Sequence, residues 1–167
     1  MQEESPSGGH WLPALGKYKA ILEGEAAKHK IRLRYHKKGA QWGRAALEWK
    51  IVWIPAPARF ASFFTGLHEI GHIVVGHKGC DGKPEYLWEY EAFAWARKYC
   101  VEHNIPVPAR TVNYEREIIA EKLRRSLENG MKSARLVVVE FIHQKKNGDP
   151  DVKWVWQNLD ADGKLVR

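Results

Sequence analysis

The chain has 167 residues, a formal net charge of +7 and a hydrophobic fraction of 44%, enough apolar side chain for a packed core of ordinary domain size. No apolar run approaches the about 18 residues that span a bilayer, and the N-terminal stretch Met-Gln-Glu-Glu-Ser-Pro-Ser-Gly-Gly is polar and acidic, unlike a secretory leader. Two cysteines supply neither a disulfide framework nor a four-cysteine zinc module, so the expected setting is the reducing cytoplasm, with no membrane partner.

After a loose tail of about nine residues, the apolar spacing of Leu15, Ile21, Leu22 and Ala26 predicts a helix over Pro13–Lys30. Ile31 to Tyr35 then alternates apolar with basic side chains, as a half-buried strand with a basic outer face does. A Lys- and Gly-rich turn leads to a second extended stretch, Ala45 to Ile54, where Leu47, Trp49, Ile51 and Trp53 alternate with Glu48, Lys50 and Val52. Pro55 and Pro57 stop it. A helix is expected from about Arg59 to Val75 with Gly76 as its C-terminal cap, then a loop over His77–Pro84, then a helix over Glu85–His103 ended by Pro106 and Pro108. Tyr114 to Glu128 predicts a further helix, stopped by Asn129-Gly130. Arg135–His143 and Val152–Gln157, rich in Val, Phe and Trp around Lys-Lys-Asn-Gly-Asp-Pro, predict a terminal β-hairpin with Trp154 and Trp156 on one face.

Charge is uneven. Residues 1–58 carry a net +5, residues 59–109 a net −1 and residues 110–167 a net +3. Basic flanks attract phosphate, so direct nucleic-acid binding is admitted, but without an accompanying recognition motif solvated surface is the preferred reading.

His68-Glu69-Ile70-Gly71-His72 lies within the helix expected over 59–75. Residues four apart share a helix face, so both imidazoles can reach one metal ion, and Glu69, one step round, can reach a water on that metal. Leu67, Ile70, Ile73, Val74 and Val75 make the helix apolar on most sides, and buried His, Glu and His need partners or a task. A catalytic zinc needs a third protein ligand and an open position. A longer three-histidine pattern fails, because Val75 and Lys78 stand where Gly and His are needed. His77, five beyond His72, points away if the helix continues. Glu89 and Glu91 on the next helix are the acidic candidates. Glu89 shares a small-residue stripe with Ala92 and Ala96 that suits a close helix neighbour, whereas Glu91 shares one with Trp95, Lys98 and Glu102; Glu89 is preferred. Cys80 and His103 are weaker ligand candidates.

The run His68-Glu69-Ile70-Gly71-His72-Ile73-Val74-Val75-Gly76-His77, preceded by Arg59-Phe60 and Thr65 and followed by Glu89-Tyr90-Glu91-Ala92-Phe93-Ala94-Trp95-Ala96, resembles the ImmA/IrrE family of zinc peptidases. That family pairs HExxH with an ExEANxFA segment whose first Glu is the third zinc ligand, which falls on Glu89. The chain departs from the pattern at Phe93, where the family has Asn, at Trp95, where it has Phe, and at Lys98–Val101. The resemblance covers about residues 15–105. It implies an α+β, minimal zincin-like fold with a small sheet on the HExxH helix, to which the C-terminal helix and β-hairpin are added; the domain division is 10–109 and 110–167.

The expected activity is that of a zinc endopeptidase, with Zn2+ on His68, His72 and Glu89 and with Glu69 as general base. Tyr86, His103 and Tyr114 are candidates for stabilising the oxyanion. By resemblance, the partner is a protein substrate such as a helix-turn-helix transcriptional repressor. The alternative is a zincin-fold binding or regulatory module for a protein or DNA partner.

Overall fold

The computed structural model describes residues 15–36, 42–78, 82–144 and 148–166. The expected N-terminal tail, the Lys- and Gly-rich turn, Cys80 and residues 145–147 of the expected hairpin turn lie outside the described residues. The order is α1 (Leu15–Lys28), β1 (Arg32–Tyr35), β2 (Arg44–Ala46), β3 (Ile51–Ile54), α2 (Phe60–Val74), α3 (Glu85–Glu102), α4 (Ala109–Glu128), α5 (Leu136–His143) and α6 (Pro150–Asn158). The chain is therefore α+β.

The stretch 45–54 is not one strand. It folds back at Leu47–Lys50, with Lys50 at φ 48° and its N–H donating to the Leu47 carbonyl (3.2 Å), so that β2 and β3 form an antiparallel pair. Alternating hydrophobicity concealed the turn because no Gly marks it; Trp49 is exposed at its tip. β1 runs parallel to β3, giving the order β1-β3-β2. In this register Arg34, Trp53 and Arg44 share one face with Arg32 and Ile51, while Val52 and Ile54 on the opposite face are buried in the core. The basic outer face expected of β1 is present, and β2 is an edge strand.

Helix α1 buries the stripe Tyr18, Leu22 and Ala26 against α2. Gly66 admits this contact, since a Cβ there would stand 2.7 Å from Leu22 Cδ1. The α2–α3 crossing is closer. A Cβ on Gly71 would stand 2.9 Å from the Ala92 carbonyl oxygen and 3.1 Å from Trp95 Cε3.

The expected terminal hairpin is replaced by α5 and α6. In α5 the buried residues Val138, Val139, Phe141 and Ile142 follow helical rather than alternating spacing. In α6, Asp149 is the N-cap, its carboxylate accepting from the N–H groups of Asp151 (2.9 Å) and Val152 (3.1 Å), with Pro150 in the first turn. The Asp-Pro that looked like a turn is a helix start, and β-branched composition was overridden by packing. Trp154 and Trp156, two apart on a helix, lie on different faces: Trp154 lies under the Arg124 guanidinium, and Trp156 stacks on His143.

Helix α4 starts at Ala109, directly after Pro108, rather than at Tyr114. A buried polar knot fixes it. Glu115, fully buried, pairs with Arg97 of α3; the guanidinium groups of Arg97 and Arg116 lie 4.4 and 5.0 Å from the Phe141 ring centroid, and Arg116 Nε donates to the Phe141 carbonyl (2.9 Å). These contacts hold α4 and α5 against α3, which itself packs on α2. Among the described residues no helix is long and apolar enough to cross a membrane.

Candidate metal centre

His68 and His72 lie one turn apart on the buried middle of α2, and Glu89 lies on the first turns of α3 that the Gly71–Ala92 contact brings alongside. His68 Nε2 is 3.1 Å from His72 Nε2 and 3.1 Å from Glu89 Oε2; His72 Nε2 is 3.8 Å from Glu89 Oε1. Donors about 2.0–2.2 Å from a tetrahedral ion stand roughly 3.3 Å from one another, so these separations match a shared divalent cation. Two imidazole nitrogens and a carboxylate are also a donor set suited to zinc. Among the described residues this is the one group of three that could hold a metal ion.

The electrostatics favour ligands in their binding forms. Burial, with the adjoining His68 and His77, lowers His72 to about 3, keeping it a neutral imidazole. Burial alone would raise Glu89, but its hydrogen bond with His68 and the favourable electrostatics of the neighbouring imidazoles and Lys122 outweigh that and hold its carboxyl below the ordinary value. Glu69 behaves oppositely. Desolvation pushes it up to about 7, partly offset by His68 and by a hydrogen bond from the Ala45 backbone of β2. A carboxyl near neutrality is suited to taking and returning a proton. Gly43 makes room for it, since a Cβ there would stand 2.6 Å from both Glu69 Cγ and Oε1.

The two histidines are supported differently. Phe93 stacks on His68 with ring centroids 3.8 Å apart, and His68 Nδ1 is buried without a hydrogen-bond partner. His72 Nδ1 is 2.9 Å from His77 Nδ1, and His77 Nε2 is 2.9 Å from Glu91 Oε2. His77 does not point away. Helix α2 ends at Val74, Gly76 takes φ 78°, and the chain doubles back so that His77 N–H donates to the His72 carbonyl (3.1 Å). This is the Schellman arrangement, in which the second residue past the C-cap, here Val75, packs on the one five earlier. The signal was Gly76 itself: a cap there ends the helix before His77.

Glu91 contacts His77 and Lys83 rather than the donor cluster. His103 lies past the far end of α3, donating from Nδ1 to the Tyr99 carbonyl (2.8 Å), and the Tyr86 hydroxyl is buried, accepting from Arg135 N–H (3.2 Å). Tyr114 is the member of that trio that borders the site. His68, Glu69, His72 and Glu89 line one end of a cavity of about 630 Å³. Leu47, Phe64, Phe93 and Ile118 make its walls largely apolar, and Trp42 and Tyr114, more than half exposed, stand at its margin. Arg110, Thr111, Tyr114 and Ile118 come from α4, of which the sequence alone singled out only Tyr114.

Fold and site thus define an α+β chain with two buried histidines and a partly buried glutamate clustered at an apolar cleft. A scan against protein-family models and searches of curated proteins and of solved structures find no match.

Proposed function

We propose that the chain is a zinc-dependent endopeptidase with a minimal zincin-like fold of the ImmA/IrrE type. One observation carries the reading: the Nε2 atoms of His68 and His72 and the Glu89 carboxylate converge within 4.8 Å, with the Glu69 carboxyl beside them. When bound, zinc supplies Lewis acidity that polarises a peptide carbonyl and acidifies a water near neutral pH. His68, His72 and Glu89 hold it. Glu69, seated on the Ala45 N–H, takes a proton from the attacking water and delivers it to the leaving amine as the C–N bond breaks. The edge strand β2 can pair with an extended substrate across the cleft, and the apolar walls exclude water from the reacting groups.

The resemblance supports a helix-turn-helix transcriptional repressor as the substrate class, and the reading places the enzyme in the cytoplasm. Elemental analysis of the purified protein, with and without Glu89→Ala, tests the metal; one zinc per chain, lost in the variant, is expected. Incubation with a repressor encoded beside it tests the reaction. Cleavage by wild type, abolished by chelator and by Glu69→Gln while zinc is retained, is the expected result, and cleavage by Glu69→Gln at the wild-type rate refutes the assignment.

A further inference from the structure

We propose that His77 and Glu91 are positioning residues that fix the tautomer of His72 and thereby direct its Nε2 lone pair at the metal. The proposal rests on the zinc reading for the identity of the ion, but the relay is a separate observation. Lys83 Nζ donates to Glu91 Oε2 (2.8 Å), and the same oxygen lies 2.9 Å from His77 Nε2. A carboxylate oxygen only accepts, so the His77 imidazole donates to it from Nε2 and is left to accept at Nδ1. That atom faces His72 Nδ1 at 2.9 Å, so His72 must donate from Nδ1. Its Nε2 is left as the lone pair that meets His68 and Glu89. An isolated histidine side chain prefers the opposite tautomer, with the proton on Nε2. Metal-binding histidines that donate their other nitrogen to an acceptor gain orientation and basicity in this way.

The fold contains its own comparison. Helices α1, α2, α3 and α4 all end in the same doubling-back, with N–H to carbonyl bonds from Ile31 to Ala26, His77 to His72, Ile105 to Cys100 and Met131 to Ser126, each after a positive-φ residue: Lys30, Gly76, Asn104 and Gly130. The motif calls for an apolar side chain at this place, and Ile31, Ile105 and Met131 supply one to the core. Only beside His72 is it histidine. His77, 4% exposed and stacked on Trp88, is a polar ring in an apolar seat, with a ligand on one nitrogen and a carboxylate on the other. A purely structural cap needs neither.

The test uses His77→Met, which installs a side chain the chain itself uses at the end of α4, and Glu91→Gln at a partly exposed carboxylate. Long-range ¹⁵N–¹H imidazole spectra of the metal-free protein report the tautomer, and chelator competition reports zinc affinity. Wild-type His72 is expected as the Nδ1–H tautomer, with His68 as internal control because its Nδ1 has no partner. In His77→Met the His72 preference is lost and zinc affinity falls about 10- to 100-fold, with a smaller fall in Glu91→Gln. A folded His77→Met that binds zinc as tightly as wild type, or a wild-type His72 protonated on Nε2, overturns the proposal. If His77→Met does not fold, an unchanged tautomer and affinity in Glu91→Ala, which removes the acceptor that Gln retains, overturn it equally. A wild-type protein with the Nδ1–H tautomer and no zinc affinity would leave the relay standing and remove the zinc reading instead.

Discussion

Gly71 sits between the two ligand histidines, and replacing it with Ala tests whether the α2–α3 spacing builds the site. Two effects oppose. Alanine gains about 1 kcal/mol of intrinsic helix stability over glycine. Against this, the new methyl would stand 2.9 Å from the Ala92 carbonyl oxygen, 3.1 Å from Trp95 Cε3 and 3.3 Å from Ala92 Cα. Ordinary contact is about 3.5 Å or more, so α3 must retreat by roughly half an ångström, an overpacking cost of about 1–3 kcal/mol. The net expectation is a loss of about 0–2 kcal/mol, which at the upper end lowers Tm by about 4–8 °C for a chain of this size. Zinc affinity should suffer more. Glu89 lies one turn before Ala92 on the same helix, and the retreat draws its carboxylate from the two imidazoles; a tenfold or greater loss corresponds to about 1.4 kcal/mol or more. Thermal unfolding of the metal-free protein and chelator competition read the two effects separately. Gly24→Ala in α1, where a Cβ meets nothing within 4 Å, calibrates the propensity gain and should raise Tm. If Gly71→Ala is stabilised as much as Gly24→Ala and binds zinc unchanged, Gly71 does not set the spacing.

Gly43→Ala should leave zinc bound and stability nearly unchanged yet lower turnover about tenfold or more, because its methyl displaces the Glu69 carboxyl from the Ala45 N–H; full activity would refute that placement. Burial pushes the Cys100 thiol up to about 12 from an ordinary value of 9.0, so the folded state keeps a proton that the unfolded chain releases. The resulting stability is fully present below pH 9.0 and is lost at up to about 1.4 kcal/mol per pH unit as pH rises towards 12. Urea unfolding between pH 8 and pH 11 should show a shallower alkaline decline in Cys100→Ala, and equal slopes would refute the linkage. Glu115→Ala leaves the Arg97 guanidinium without its buried partner and should cost about 3–5 kcal/mol in urea unfolding; a loss below 1 kcal/mol would show that the knot does not anchor α4.

Local signals were legible where the physics is local. Pro55 and Pro57, Gly76, Pro106 and Pro108, and Asn129-Gly130 punctuate the chain, and α1, α2 and α3 fall within a few residues of the spans their periodicity predicts. The failures have one cause. Leu47–Lys50 continues the alternation of a strand and Leu136–Asn158 is rich in residues that also suit strands, and pairing partners and packing decide such segments, not local pattern. The helical spacing of Val138, Val139, Phe141 and Ile142 and the Asp149-Pro150 cap were readable, but the β-branched content masked them.

For the site, the division follows chain distance. His68, Glu69 and His72 lie within about one helical turn, so helix geometry by itself places both imidazoles on one face with the carboxyl beside them. The stripe of Ala92 and Ala96 already pointed Glu89 inward. Tertiary structure decided the rest. It brought Glu89 to the histidines through the Gly71–Ala92 contact, turned His77 back onto His72 through Gly76, set Glu91 behind His77, and supplied a wall of the cleft from α4. Each of these depends on a chain reversal or on the approach of two helices, and spacing within one helix carries no information about either.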